Sequence, residues 1–149
     1  LREWEGFSAP ELFESAMATG AQLTTFYSRL DERERALWER WFREYRERQL
    51  YRGEYLNLYD LAFDTPEAHV VRKDGVMYYG FFAEAWPRNR RLELRGLDKN
   101  TTYEVYDYAN RRPLGKVSGS RPVLRVAFKD SLLLRAQPVR ASRLGEHQP

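Results

Sequence analysis

The chain has no cysteine and only two histidines, His69 and His147. Without thiols, a disulfide framework, a thiolate zinc site, an iron–sulfur cluster and a cysteine nucleophile are all excluded. The two histidines lie far apart, one in a strand-like run and one in the C-terminal tail. They offer no metal-ligand spacing and no ready base for a serine nucleophile. No G-x-S-x-G elbow, dinucleotide fingerprint or phosphate-binding loop occurs, and Ser118-Gly119-Ser120 reads as a turn. No cofactor and no metal are expected. No apolar run approaches the ~18 residues that cross a bilayer. Leu1 to Pro10 carries charges at Arg2, Glu3 and Glu5 where a secretory signal needs an apolar core. A cytoplasmic protein that does not enter membranes is the expectation.

Charge of one sign is also lacking. The 25 basic and 22 acidic residues leave +3. The part up to Arg52 sums to −1 and the remainder to +4, from 9 basic and 10 acidic against 16 and 12. Neither part carries the basic stripe of a nucleic-acid binder. What the chain does have, over 149 residues, is 42% hydrophobic and 15% aromatic content beside 32% charged residues. That composition belongs to one folded domain, or a domain with an appendage. The first residue is Leu1, not a methionine, and the opening reads as the interior of something longer. A fragment of a larger protein is expected.

Two periodicities divide the chain. Ser8-Ala9-Pro10-Glu11 reads as a capping box. Leu12, Phe13, Ala16, Met17, Gly20, Leu23, Thr24, Phe26 and Tyr27 then recur at helical spacing, with Gly20 inside the stripe. Asp31 to Glu34 is a second capping box. The helix that follows presents Leu37, Trp38, Trp41, Phe42 and Tyr45 on one side and i,i+4 charge pairs on the other, with Gly53 as a stop. After Gly53 the period is two. Strands are predicted over 54–60, 69–73, 76–83, 91–95, 102–108, 114–118, 123–128 and 132–136, with a tight hairpin at Asp74-Gly75. Seven or eight short strands with no helix between them predict an antiparallel β-sandwich with Greek-key connections. The fold class is therefore α+β, with a helical segment over 1–52, a sandwich over 53–140 and a disordered tail over 141–149.

Paired carboxylates are the remaining catalytic option. Glu3 and Glu5 flank Trp4, Asp60 and Asp64 bracket a short loop, and Asp107 sits between two tyrosines. A retaining glycosidase needs carboxyl groups about 5–5.5 Å apart. Adjacent strand positions point to opposite faces, so capping of turns is the favoured role for these acids. No catalytic residue is assigned. The aromatics could stack on pyranose rings, and Trp86, in a loop before Pro87, is the best exposed candidate for substrate binding. Core packing remains the commoner use of such rings.

The stretches Gly53-Glu54-Tyr55-Leu56-Asn57-Leu58-Tyr59-Asp60, His69 to Gly75, Met77 to Phe82, Leu92-Glu93-Leu94-Arg95-Gly96-Leu97-Asp98 and Tyr103 to Tyr108 carry a resemblance. So does Leu132 to Ala136. Together, over about Ser8 to Pro138, they resemble the C-terminal end of melibiase-type α-galactosidases and related retaining α-glycosidases. The resemblance implies a (β/α)₈ catalytic barrel upstream, of which 1–50 would be the last helices. It implies catalytic aspartates on barrel strands before Leu1, and no residue here matches either one. Six or more βα units cannot fit into 50 residues, so this chain alone is expected to be inactive. The missing barrel is its implied partner, with α-galactosides or oligosaccharides reached only through the parent. An autonomous carbohydrate-binding module and a plain interaction sandwich are the alternatives. Trp38, Trp41, Phe42 and Tyr45 must be covered by the sandwich, the barrel or a second copy, and a homo-oligomer through this stripe is expected.

Overall fold

The computed structural model describes residues 9–21 and 32–139. Two helices, α1 (Ala9–Thr19) and α2 (Glu32–Arg48), are followed by a 3-10 turn at Leu50–Arg52. Eight strands follow: β1 (Glu54–Leu56), β2 (Glu67–Lys73), β3 (Val76–Trp86), β4 (Leu92–Glu93), β5 (Thr102–Asp107), β6 (Arg112–Ser118), β7 (Val123–Leu124) and β8 (Phe128–Pro138). Every pairing is antiparallel. The α+β class and the strand count agree with the sequence, but the two sheets are unequal. Six strands form the main sheet in the order β1-β2-β3-β8-β5-β6, and β4 pairs with β7 alone. The insertion of β8 between β3 and β5 is the long-range return that a Greek-key pattern requires.

Alternation along the main sheet builds two cores. Val70, Tyr79, Phe81, Val105, Leu132 and Leu134 face the small sheet and meet Leu92, Leu94 and Leu124. Val71, Tyr108 and Leu133 face the helices and meet Phe13, Met17, Ala18 and Trp41. The main sheet is thus covered by β4–β7 on one face and by α1 and α2 on the other.

Local chemistry explains the element boundaries. Asp74 and Gly75 both have positive φ, 52° and 76°, which is the mirror-image turn that a two-residue hairpin needs. Lys73 pairs with Val76 directly across it. Gly20 corrects the sequence reading: it does not sit within a helix but ends one. Its φ is +70° and the Ala21 N–H bonds to the Ala16 carbonyl at 2.9 Å, the 6→1 bond of a Schellman stop. The continuation of the stripe to Tyr27, the capping residues Ser8 and Asp31, and the tail over 141–149 lie outside the described residues. The helix α2 stops at Arg48 rather than at Gly53, with Gln49 in the left-handed region.

The closest helix–strand approach is made at Gly80. A Cβ there would lie 2.2 Å from the Ala18 Cβ, so a glycine opposite an alanine lets α1 lie on β3. Trp41 is buried against Phe13, their rings stacked with centroids 6.1 Å apart, and Phe42 meets Phe13 edge-on at 4.7 Å. Trp41, Phe42 and Tyr45 therefore pack against Phe13 of α1 in the helix-side core, so the chain itself covers part of this stripe, with Phe42 and Tyr45 only partly buried. Trp38 lies on α2, with its side chain outside the description. No described helix is long and apolar enough to cross a membrane.

Candidate functional site

The acids that sequence reasoning offered for catalysis are engaged elsewhere. Asp107 is fully buried and accepts from the Asn110 backbone N–H at 3.0 Å and the Asn110 side-chain amide at 2.9 Å, closing the β5–β6 turn. Asp60 accepts from the Ala62 N–H at 2.9 Å. Asp64 accepts from the Asp60 N–H at 2.6 Å and from both terminal nitrogens of Arg95 at 2.7 and 3.0 Å. Those Arg95 hydrogen bonds are the main cause that holds the Asp64 carboxyl below the ordinary carboxylate range, and Asp64 in turn raises Arg95. A carboxylate so stabilised is a poor proton donor, the opposite of what a general acid needs. Glu3, Glu5 and His147 lie outside the described residues. His69 is buried, with its Nδ1 2.7 Å from the Tyr55 hydroxyl, and serves the helix-side packing beside Phe82. Among the described residues no group of three His, Asp or Glu side chains could hold a metal.

Trp86 is not the exposed loop residue that sequence implied. It ends β3, is only 3% exposed, stacks on Phe128 at 6.2 Å, and is covered by the Arg90 guanidinium at 4.2 Å. The cause is a register shift between Ala83 and Ala85. One extra residue in β3 reverses the alternation, so Trp86 turns into the core where strict period two would turn it out. Both faces needed to stack on a sugar are taken.

The feature that sequence reasoning missed is the loop between β1 and β2. Arg95 holds it by several bonds at once. Besides Asp64, Arg95 donates to the Leu58 carbonyl at 2.9 Å and to Glu93 at 3.2 Å, and its guanidinium lies 4.8 Å from the centroid of Tyr59. The Tyr59 hydroxyl accepts from the Arg95 backbone N–H at 2.9 Å and donates to the Glu93 carbonyl at 2.5 Å. Tyr79 donates to the Arg95 carbonyl at 2.6 Å. Burial, chiefly, pushes both tyrosine hydroxyls up, so they stay protonated donors. What this knot holds out is apolar: Leu61 is 54% exposed and Phe63 is 86% exposed. Asp60 and Asp64 closing on one another across Leu61-Ala62-Phe63 was the available sequence signal. Its arginine partner, 31 residues further on, was not visible.

No protein-family model matches the chain. Over 94 residues it is 38% identical to a Flavonifractor plautii protein, A type blood alpha-D-galactosamine galactosaminidase, which spans 59% of this chain and 9% of that protein. Its fold matches a GH36 alpha-galactosidase, AgaA of Geobacillus stearothermophilus solved with stachyose, with a TM-score of 0.64 at 17% identity, over 93% of this chain and 21% of that one. It also matches a Bacillus halodurans protein described as a candidate alpha-N-acetylgalactosaminidase, with a TM-score of 0.61 at 14% identity, over 93% and 33%. The chain thus spans a third or less of the length of each of these relatives. The chain is thus similar in sequence to a small part of the one relative and shares its fold with a small part of the others.

Proposed function

We propose that the chain is the non-catalytic C-terminal domain of a cytoplasmic glycoside hydrolase that cleaves terminal α-glycosidic bonds with retention. The observation that carries this reading is the fate of its acids. Asp64 is neutralised by Arg95, and Asp60 and Asp107 are used by turns. The role is structural. The clamped loop offers Leu61 and Phe63 to the catalytic barrel, which the much longer relatives have length to supply. An apolar tip on a loop so heavily hydrogen-bonded is suited to a fixed interface, because little order remains to be lost on docking. The alternative, an autonomous carbohydrate-binding module, loses its best platform with the burial of Trp86.

Incubation of the purified chain with aryl α-galactosides, α-N-acetylgalactosaminides and α-glucosides tests the reading. No turnover above buffer is expected. Turnover that is abolished by Asp64→Asn or Asp60→Asn would overturn it.

A further inference from the structure

The main sheet brings to one end residues that are scattered in sequence. Strands β3 and β5 both run antiparallel to β8. Both therefore finish toward the end where β6 and β8 begin: Trp86 lies opposite Phe128, the first residue of β8, and Asp107 lies opposite Arg112, the first residue of β6, and opposite Leu134 further into β8. The segments at this end carry Arg88, Arg90, Arg91, Arg111, Arg112 and Arg125. A chain of net charge +3 hides this concentration. Four of the six have partners: Arg90 covers Trp86, Arg111 approaches Glu44 at 4.0 Å, Arg112 approaches Asp107, and Arg125 is tied to a backbone carbonyl.

Arg88, Arg112 and Arg125 line one hollow of about 300 Å³, and no acidic residue lines it. Arg112 reaches Asp107 only at 3.8 Å, and that carboxylate is bonded to Asn110. Arg125 donates to the Asn89 carbonyl at 2.9 Å, which fixes one edge of its guanidinium. Arg88 has no ion pair or hydrogen bond among the described residues. Pro113, Leu114 and Val126 supply an apolar wall. Guanidinium forks match carboxylate and sulfate oxygens two at a time, and three of them with no carboxylate between them form an attractive field for an anion. The hollow is too small to follow a nucleic-acid backbone, which calls for an extended basic track with stacking rings.

We propose that this hollow binds a saccharide bearing an oxyanion, a carboxylate or a sulfate, with Arg88, Arg112 and Arg125 on the anion and the Pro113–Leu114 wall against the sugar ring. The oxyanion half rests on the arrangement alone, and the saccharide half rests on the glycoside-hydrolase reading above. Calorimetric titration of the whole chain with galacturonic acid, galactose 6-sulfate, galactose, inorganic sulfate and a single-stranded oligonucleotide tests both. A saturable signal is expected for at least one anionic sugar, none for galactose, and a weaker one for inorganic sulfate. Losing two charged hydrogen-bond donors in the Arg88→Ala/Arg125→Ala double variant should weaken anionic-sugar binding by about tenfold or more. Lys99→Gln, in the turn before β5 at the other end, should change nothing. Galactose binding as tight as the anionic sugars, or anionic binding unmoved by the double variant, would overturn the proposal. So would an oligonucleotide that outbinds both sugars. Inorganic sulfate binding with no anionic sugar would overturn the saccharide half, while the assay of glycoside turnover stands independent of either result.

Discussion

The two faces of the main sheet solve the same problem differently. Toward β4 and β7 the cover is continuous chain from the same sheet-forming half, and the core mixes many aliphatic side chains with the stacked pairs Tyr79–Phe81 and Trp86–Phe128. Toward α1 and α2 the cover is an N-terminal arm, the core centres on Phe13, Trp41 and Tyr108, and polar ties join the arm to the sheet. Arg40 donates to the Ala109 carbonyl at 2.7 Å, and Arg48 pairs with Glu44 at 2.9 Å while lying 4.3 Å from the centroid of Tyr108. The difference teaches that the sandwich is built around its own strands and the arm is fastened onto it.

Leu133 and Leu134 are neighbours on β8 that point to opposite faces, both almost wholly buried. The same truncation therefore probes both cores. Leu134→Ala should cost about 3–5 kcal/mol in denaturant unfolding and lower the protection of all strands together. Leu133→Ala should cost less, about 2–3 kcal/mol, and release α1 and α2 first, seen as early hydrogen exchange in the helices. Equal losses with identical exchange patterns would erase the distinction.

Gly80→Ala sharpens it at a single contact. The new methyl meets Ala18 side chain and backbone, so α1 must shift away from β3. A loss of about 1–3 kcal/mol is expected, accompanied by changed near-ultraviolet dichroism from the Phe13–Trp41 stack. Tyr59→Phe acts on the other side. It removes an acceptor from the Arg95 N–H and a donor to Glu93, and about 1 kcal/mol should be lost with the helices undisturbed.

Smaller still is the pH effect at the loop. Asp64 has its folded pKa depressed from 3.8, chiefly by the Arg95 hydrogen bonds. Its contribution is complete above the unfolded value near pH 4 and falls away as the pH drops through the lower folded value. Acid unfolding followed below pH 4 should be flatter in Asp64→Asn than in the parent sequence.

Much of the sheet was legible in sequence because its signals are local. Asp74-Gly75 dictates its turn, and alternation through Val70, Tyr79 and Leu134 marks the buried side. The unread parts depend on single residues acting at a distance. The extra residue near Glu84 reverses the direction of Trp86, and nothing in the alternation announces a bulge. Gly20 as a helix end and Gly20 as a helix interior have the same spacing, and the difference is a backbone angle. The Arg95 knot and the arginine-lined hollow each join segments that only strand order brings together.

The claim that the clamped loop is a seat for a catalytic barrel is tested most directly by Phe63→Ser, with thermal unfolding measured in the isolated chain and in the full hydrolase. Phe63 is 86% exposed here, so the isolated chain should unfold at an unchanged temperature, while the hydrolase should lose stability as the contact with its barrel weakens. An unchanged temperature in the hydrolase, or an equal drop in both, would contradict the account.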